Sequence, residues 1–144
     1  MGRSGGSRSL PRGRNLNGYL LDTNVVLLAL DAPERLSRAG HAAIKSGPNV
    51  LSVISYWEVT LKSAKGKLDV GNPRAWWEIA LGDFAATAMP LRPAHISEIH
   101  GLPPIHHDPF DRALIAQATA EDLVLVTTDE KIALYASKRL RVIR

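Results

Sequence analysis

Cysteine is absent from the chain, which excludes a disulfide framework and any thiolate metal site and is in keeping with a reducing compartment. Long apolar runs are absent too. The longest uninterrupted one, Val25 to Leu30, falls far short of the roughly 20 residues a membrane helix needs, and no apolar stretch follows the early arginines as a signal peptide requires. A soluble cytoplasmic protein with no membrane partner is expected. Acids are missing from one region only. Residues 1–18 hold Arg3, Arg8, Arg12 and Arg14 and no Asp or Glu, so setting those four aside leaves 14 basic residues against 14 acidic. The formal charge of +4 therefore belongs to a Gly/Ser/Arg tail that is too poor in apolar residues to fold and is expected to be disordered. The body, 19–144, is neutral, and the tail reads either as a contact for nucleic acid or as a leader ahead of the domain.

What is present is an alternation of short apolar runs and helical patterns. Tyr19-Leu20-Leu21 reads as a strand that ends in Asp22-Thr23-Asn24, and Val25 to Leu30 as a helix. Ser37 caps a second helix through Ile44, and Asn49 to Val53 is a second strand. A helix is expected from near Ser55, with Trp57, Leu61 and Ala64 on one face and Glu58 in its first turn. Pro73 opens another toward Asp83, Ala86 to Leu91 reads as a third strand, and Pro93 starts a short helix through Ile99. Asp108-Pro109 is a helix start, since Asp accepts bonds from unpaired N–H groups and proline is preset for the first helical position. Asp111 falls in the first turn, and Phe110, Leu114, Ile115 and Ala118 recur at helical spacing. Leu123 to Val126 is apolar without alternation, as expected of a strand buried on both faces. A helix after Asp129 to Ser137 and a strand from Leu140 to Ile143 complete an α/β chain with a parallel sheet.

In such a sheet the C-terminal ends of the strands and the N-termini of the helices share one edge, where ligands bind. Asp22, Glu58, Asp111 and Asp129 come from four separate segments and are all expected there. Each has a purely structural reading: Ser55-Tyr56-Trp57-Glu58 and Asp108-Pro109-Phe110-Asp111 fit capping boxes, and Asp22 and Asp129 fit N-caps. Jointly they call for something more. Two carboxylates about 5 Å apart at an effective dielectric of about 20 repel by roughly 3 kcal/mol, and a hard divalent cation removes that cost. Oxygen-only donors favour Mg²⁺ or Mn²⁺, which activates water and neutralises a phosphodiester. Thr23, Asn24 and Thr127 stand beside these acids as turn residues or as groups that orient them. His106-His107 is a poor transition-metal pair, because adjacent histidines do not readily present to one ion. Of the tryptophans, Trp57 is expected in the core and Trp76-Trp77 at a subunit or partner face. Lys62, Lys65 and Lys67 form a small basic run near the expected edge.

LLDTN at 20–24, SVISYWEV at 52–59, DPFDRALIAQA at 108–118 and LVTTD at 125–129, in this order and spacing, resemble a PIN-domain ribonuclease of the VapC toxin type. The resemblance covers 19–144 and implies a three-layer α/β/α domain with a central, mainly parallel sheet of about four or five strands. It matches Asp22 and Asp111 to metal-ligand aspartates, Glu58 to the acid of the third helix, Asp129 to the last acid and Thr127 to the polar position beside it. It further implies Mg²⁺- or Mn²⁺-dependent endoribonuclease activity on single-stranded regions of RNA, a VapB-type antitoxin that covers the site, and a homodimer. Asn24 departs from the histidine common in the subgroup but leaves the ligand positions intact. A non-catalytic module that binds RNA or protein is the alternative. A phosphoaspartate receiver or phosphatase is disfavoured, because Asp22-Thr23-Asn24 lacks a second Asp and no Lys follows Val142.

Overall fold

The computed structural model describes residues 17–144; the expected tail therefore lies, but for its last two residues, outside the described part. Five strands, β1 (Tyr19–Leu21), β2 (Asn49–Ser52), β3 (Thr87–Met89), β4 (Val124–Val126) and β5 (Val142–Ile143), form one sheet in the order β3-β2-β1-β4-β5. Every pairing is parallel, with Leu20 opposite Val50 on one side and Leu125 on the other. The helices are α1 (Thr23–Asp31), α2 (Arg38–Ser46), α3 (Val53–Ala64), α4 (Pro73–Asp83), α5 (Pro93–His100), α6 (Pro109–Glu121) and α7 (Glu130–Ala133).

Strand side chains alternate between two cores. Leu20 and Leu125 join Leu114, Ile115 and Ala118 of α6 and Ile132 of α7 on one face, whereas Leu21, Leu51 and Val126 join Val25 and Val26 of α1, Ala43 of α2 and Trp76, Trp77 and Ala80 of α4 on the other. That division makes the three-layer α/β/α architecture. Because both faces are covered, β4 is buried at every residue, which is why its sequence shows no polar alternation. Helix α3 contributes Ile54 to the first core and Val59 to the second, so it bridges both layers.

The described residues begin just before β1. Asn17 donates from Nδ2 to the Glu121 and Asp122 carbonyls at 3.2 and 3.3 Å, and the Gly18 carbonyl accepts from the Val124 N–H at 3.1 Å. Gly18 has φ of +114° and a Cβ there would collide with the Pro48 carbonyl oxygen, so glycine suits this close approach of strand and loop.

Several sequence expectations are corrected. Helix α3 starts at Val53, capped by the Ser52 hydroxyl, which accepts from the Ile54 N–H. Ser55 is therefore inside the helix, its capping box with Glu58 does not form, and Glu58 sits in the second turn. The helix after Asp129 ends at Ala133, and the last strand is only Val142–Ile143, because the chain turns through a Ser137–Leu140 bridge to bring Arg141 and Ile143 alongside β4. The tryptophans exchange places. Trp76 and Trp77 are buried, Trp77 stacked on Tyr56 with centroids 5.1 Å apart, while Trp57 is 54% exposed and packs against Phe110 at 82°.

Candidate active site

The order β3-β2-β1-β4-β5 means that the chain builds outward from β1 and then returns to the other side of it. The crevice at this reversal lies between β1 and β4, at their carboxyl ends. Asp22 follows β1 directly and Thr127, Thr128 and Asp129 follow β4. There an open cleft of about 360 Å³ is lined by Asp22, Glu58, Asp108, Asp111 and Asp129, together with Thr23, Asn24 and Lys62. All four acids expected from the sequence thus meet, with Asp108 as a fifth.

Each acid is held differently. Asp22 is the N-cap of α1 and buried: Oδ1 accepts from the N–H groups of Asn24 at 2.6 Å and Val25 at 3.4 Å, and Oδ2 from the Thr127 hydroxyl. Burial raises its pKa and Glu58 adds to the rise, opposed by the bonds from Thr127, Asn24 and Val25. Thr127 also accepts from the Asp129 N–H at 3.0 Å, so one hydroxyl links the first acid to the loop of the last. The Asp129 contact is local, as in a turn, but the Asp22 contact reaches across the sheet to a residue distant in sequence. Thr23 instead bonds Ser55 of α3 at 2.8 Å, and Asn24 donates to the Thr128 hydroxyl at 2.9 Å. These contacts tie α1 to α3 and to the loop after β4.

Asp111 stands in the first turn of α6, as expected. Its pKa is pushed up to about 7 by burial, then by the charges of Asp108, Asp22 and Glu58, with His106 pulling the other way. Asp108 itself is the N-cap, accepting from Phe110 at 2.8 Å and Asp111 at 3.2 Å. Glu58 is buried and bonds Lys62 through Oε2 at 2.6 Å, which raises the lysine pKa, while Oε1 is buried with no partner. Asp129 behaves oppositely to Asp111. Burial raises its pKa, but the N–H groups of Ile132 and Lys131 and the His106 ring outweigh that and leave it lowered.

His106, set aside in the sequence as one of an adjacent pair, is brought into the cleft without His107. Its Nε2 lies 2.9 Å from Asp111 Oδ2 and 3.3 Å from Asp129 Oδ2, and single donor atoms of His106, Asp111 and Asp129 fall within 4.8 Å of one another. The available signal was its position two residues before the Asp108-Pro109 cap, which aims it back at the first turn of α6. His107 is exposed and forms no pair with it.

The donor set fits a hard divalent cation. Among the described residues that line the cleft, five are acids and one, Lys62, is a cation. A buried carboxylate oxygen without a partner is expensive, and Glu58 Oε1 is one. The five acids that line the cleft offer carboxylate oxygens, which suit Mg²⁺ or Mn²⁺. Among the described residues no helix is long and apolar enough to cross a membrane.

A family model described as the PIN domain matches residues 19–138. Among solved structures, one of VapBC2 from Rickettsia felis bound to a DNA fragment from their promoter has a chain 16% identical, with a TM-score of 0.65, covering 87% of this chain and 96% of that one. FitAcB from Neisseria gonorrhoeae gives 21% identity and a TM-score of 0.58 over 88% and 96%. DNA-bound VapBC from Salmonella typhimurium gives 16% and 0.58 over 87% and 96%. At these identities the likeness is one of fold. No curated protein matches the chain.

Proposed function

Since the chain belongs to the PIN domain family, we propose that it is a Mg²⁺- or Mn²⁺-dependent endoribonuclease, the toxin of a toxin–antitoxin pair. The observation that carries this reading is the acid cluster at the sheet reversal, where Asp111 is raised to about 7 and a Glu58 oxygen is buried without a partner. Such an arrangement is costly to a chain that only needs to fold.

Asp22 and Asp111 hold the cation, with Glu58 and Asp129 holding its waters or a second ion. When bound, the cation neutralises charge on the phosphodiester and lowers the pKa of water for attack. The protein's own part is preorganisation. Thr127 and the two cap N–H groups fix the Asp22 carboxylate before substrate arrives, so little reorganisation is left for the reaction itself. Lys62, at the cleft wall, offers a positive charge to the RNA backbone. The exposed Trp57, steadied edge-on by Phe110 next to Asp111, offers a face on which a single-stranded base can stack.

A VapB-type antitoxin covering the cleft, a homodimer as the basic unit and a cytoplasmic location complete the reading. It draws support from the solved VapBC and FitAcB complexes, whose chains share this fold.

The test is end-labelled cleavage of total cellular RNA with Mg²⁺ or Mn²⁺ and then with EDTA, comparing wild type with Asp111→Asn. Cleavage that requires both the cation and Asp111 is the expected result. Well-folded, antitoxin-free protein that binds RNA equally with and without EDTA and leaves it intact would replace the nuclease with a binding module.

A further inference from the structure

His106 has an unusually complete set of partners for a loop residue. Its N–H donates to the Tyr135 hydroxyl at 2.8 Å and its carbonyl accepts from Arg112 Nη1 at 3.3 Å. Tyr135 and Arg112 both donate in turn to the Pro103 carbonyl, at 2.8 and 3.0 Å. The backbone is thus pinned, and the ring, with 13% of the side chain exposed, is aimed into the acid cleft. There Nδ1 accepts from the Asp108 N–H at 3.2 Å, while Nε2 faces Asp111 Oδ2 and Asp129 Oδ2.

A backbone N–H can only donate. Nδ1 therefore carries the lone pair, and the proton of a neutral imidazole sits on Nε2. We propose that His106 is a positioning residue whose Nε2–H ties Asp111 on α6 to Asp129 on the loop after β4, and so sets the spacing of two acids around the cation. This rests on the cation-dependent reading of the site. Without the ring, Asp129 keeps its cap bonds from the Lys131 and Ile132 N–H groups to Oδ1, but Oδ2, on a side chain 37% exposed, loses the contact that joins it to Asp111. Direct ligation of a transition metal by His106 would need the ring proton on Nδ1, pointing at the Asp108 N–H, which sets two donors face to face. The tautomer separates the two roles.

Ring-nitrogen NMR of the metal-free protein at mildly alkaline pH reads that tautomer directly. The expected result is Nε2–H at His106. With Mn²⁺ as the probe, His106→Ala is expected to weaken binding about tenfold, as loss of a residue that orients a ligand does. His106→Gln, whose amide N–H₂ reaches toward the same position, restores affinity to near the wild-type value. Pulsed electron paramagnetic resonance of Mn²⁺-loaded wild type then shows no directly coordinated nitrogen. An Nδ1–H ring, a coordinated nitrogen, or folded His106→Ala with wild-type affinity would each overturn the proposal; if His106→Ala does not fold, a His106→Gln variant that stays weak does so. Wild-type protein that takes up no Mn²⁺ would overturn the cation reading instead, and the ring shifts would still decide the tautomer.

Discussion

Helix α6 carries a buried polar cluster at each end, and the two are built on opposite principles. At its C-terminal end, Glu121 Oε2 lies 2.7 Å from Nε2 of the fully buried His95 and 3.7 Å from Arg92. His95 Nδ1 accepts from the Arg92 N–H at 3.0 Å, and Gln117 donates to the Pro90 carbonyl at 3.3 Å. One carboxylate faces two donors, and the cluster joins α5 to α6. At the N-terminal end, Asp111 faces Asp108, Asp22 and Glu58, with His106 as the opposing partner. Gln117 Oε1 is also buried without a partner, but a neutral amide oxygen is far cheaper to leave unpaired than a carboxylate. The C-terminal cluster pairs its carboxylate as folded, whereas the N-terminal one leaves a Glu58 oxygen unpaired and Asp111 among like charges, a cost that the proposed cation would offset.

Substitutions at the two ends should therefore differ in kind. The largest effect is expected on activity: Asp22→Asn or Asp111→Asn lowers cation-dependent RNA cleavage on the order of a thousandfold, read by initial rates on end-labelled RNA. Next comes His95→Ala, which leaves Glu121 without its nearest donor and opens a cavity. It should cost about 2–4 kcal/mol of stability in urea unfolding, with catalysis per folded molecule unchanged.

Asp111→Asn should act in the opposite direction on stability. Folded Asp111 keeps its proton to about pH 7, whereas its ordinary value is 3.8. Between those values the folded chain binds more protons than the unfolded one. Wild-type stability therefore falls as pH rises through that window and stays low above it. With EDTA present, Asp111→Asn is expected to be more stable than wild type by about 1–2 kcal/mol at pH well above 7, with the gain shrinking toward pH 4. Denaturant midpoints across that range check it.

The smallest stability effect is expected at Trp57. Trp57→Ala should change stability by less than about 1 kcal/mol, since the side chain is largely solvated, yet weaken binding of single-stranded RNA by about 1–3 kcal/mol. Fluorescence anisotropy of labelled RNA without added cation measures the second quantity.

Much of this contrast was legible in the sequence at one end and not at the other. Asp108-Pro109 marked the start of α6, and unbroken apolar Leu123 to Val126 marked a doubly covered strand, because capping and burial leave local patterns. The strand–helix alternation then sufficed to bring Asp22, Glu58, Asp111 and Asp129 to one edge. Glu58 was placed a turn too early, because Ser52 and Ser55 are both plausible caps and only the length of β2 decides between them. The tryptophans were exchanged because periodicity gives a helix's apolar stripe but not which stripe the sheet covers. His106 was set aside as one of two adjacent histidines, because its position before the Asp108-Pro109 cap is only a hint and its partners are set by the path of the loop from Gly101 to Asp108, pinned by Tyr135 and Arg112. Nothing local in the sequence marks the His95–Glu121 pair.

The most direct test is the unfolding of wild-type protein at neutral pH as Mg²⁺ or Mn²⁺ is titrated in from EDTA, beside Asp111→Asn. A cation that completes the N-terminal cluster binds only the folded state. Wild type should therefore gain about 2.7 kcal/mol at a hundredfold excess over its dissociation constant, and the variant almost nothing. Equal gains in both proteins, or none in either, would contradict a cation at this cluster.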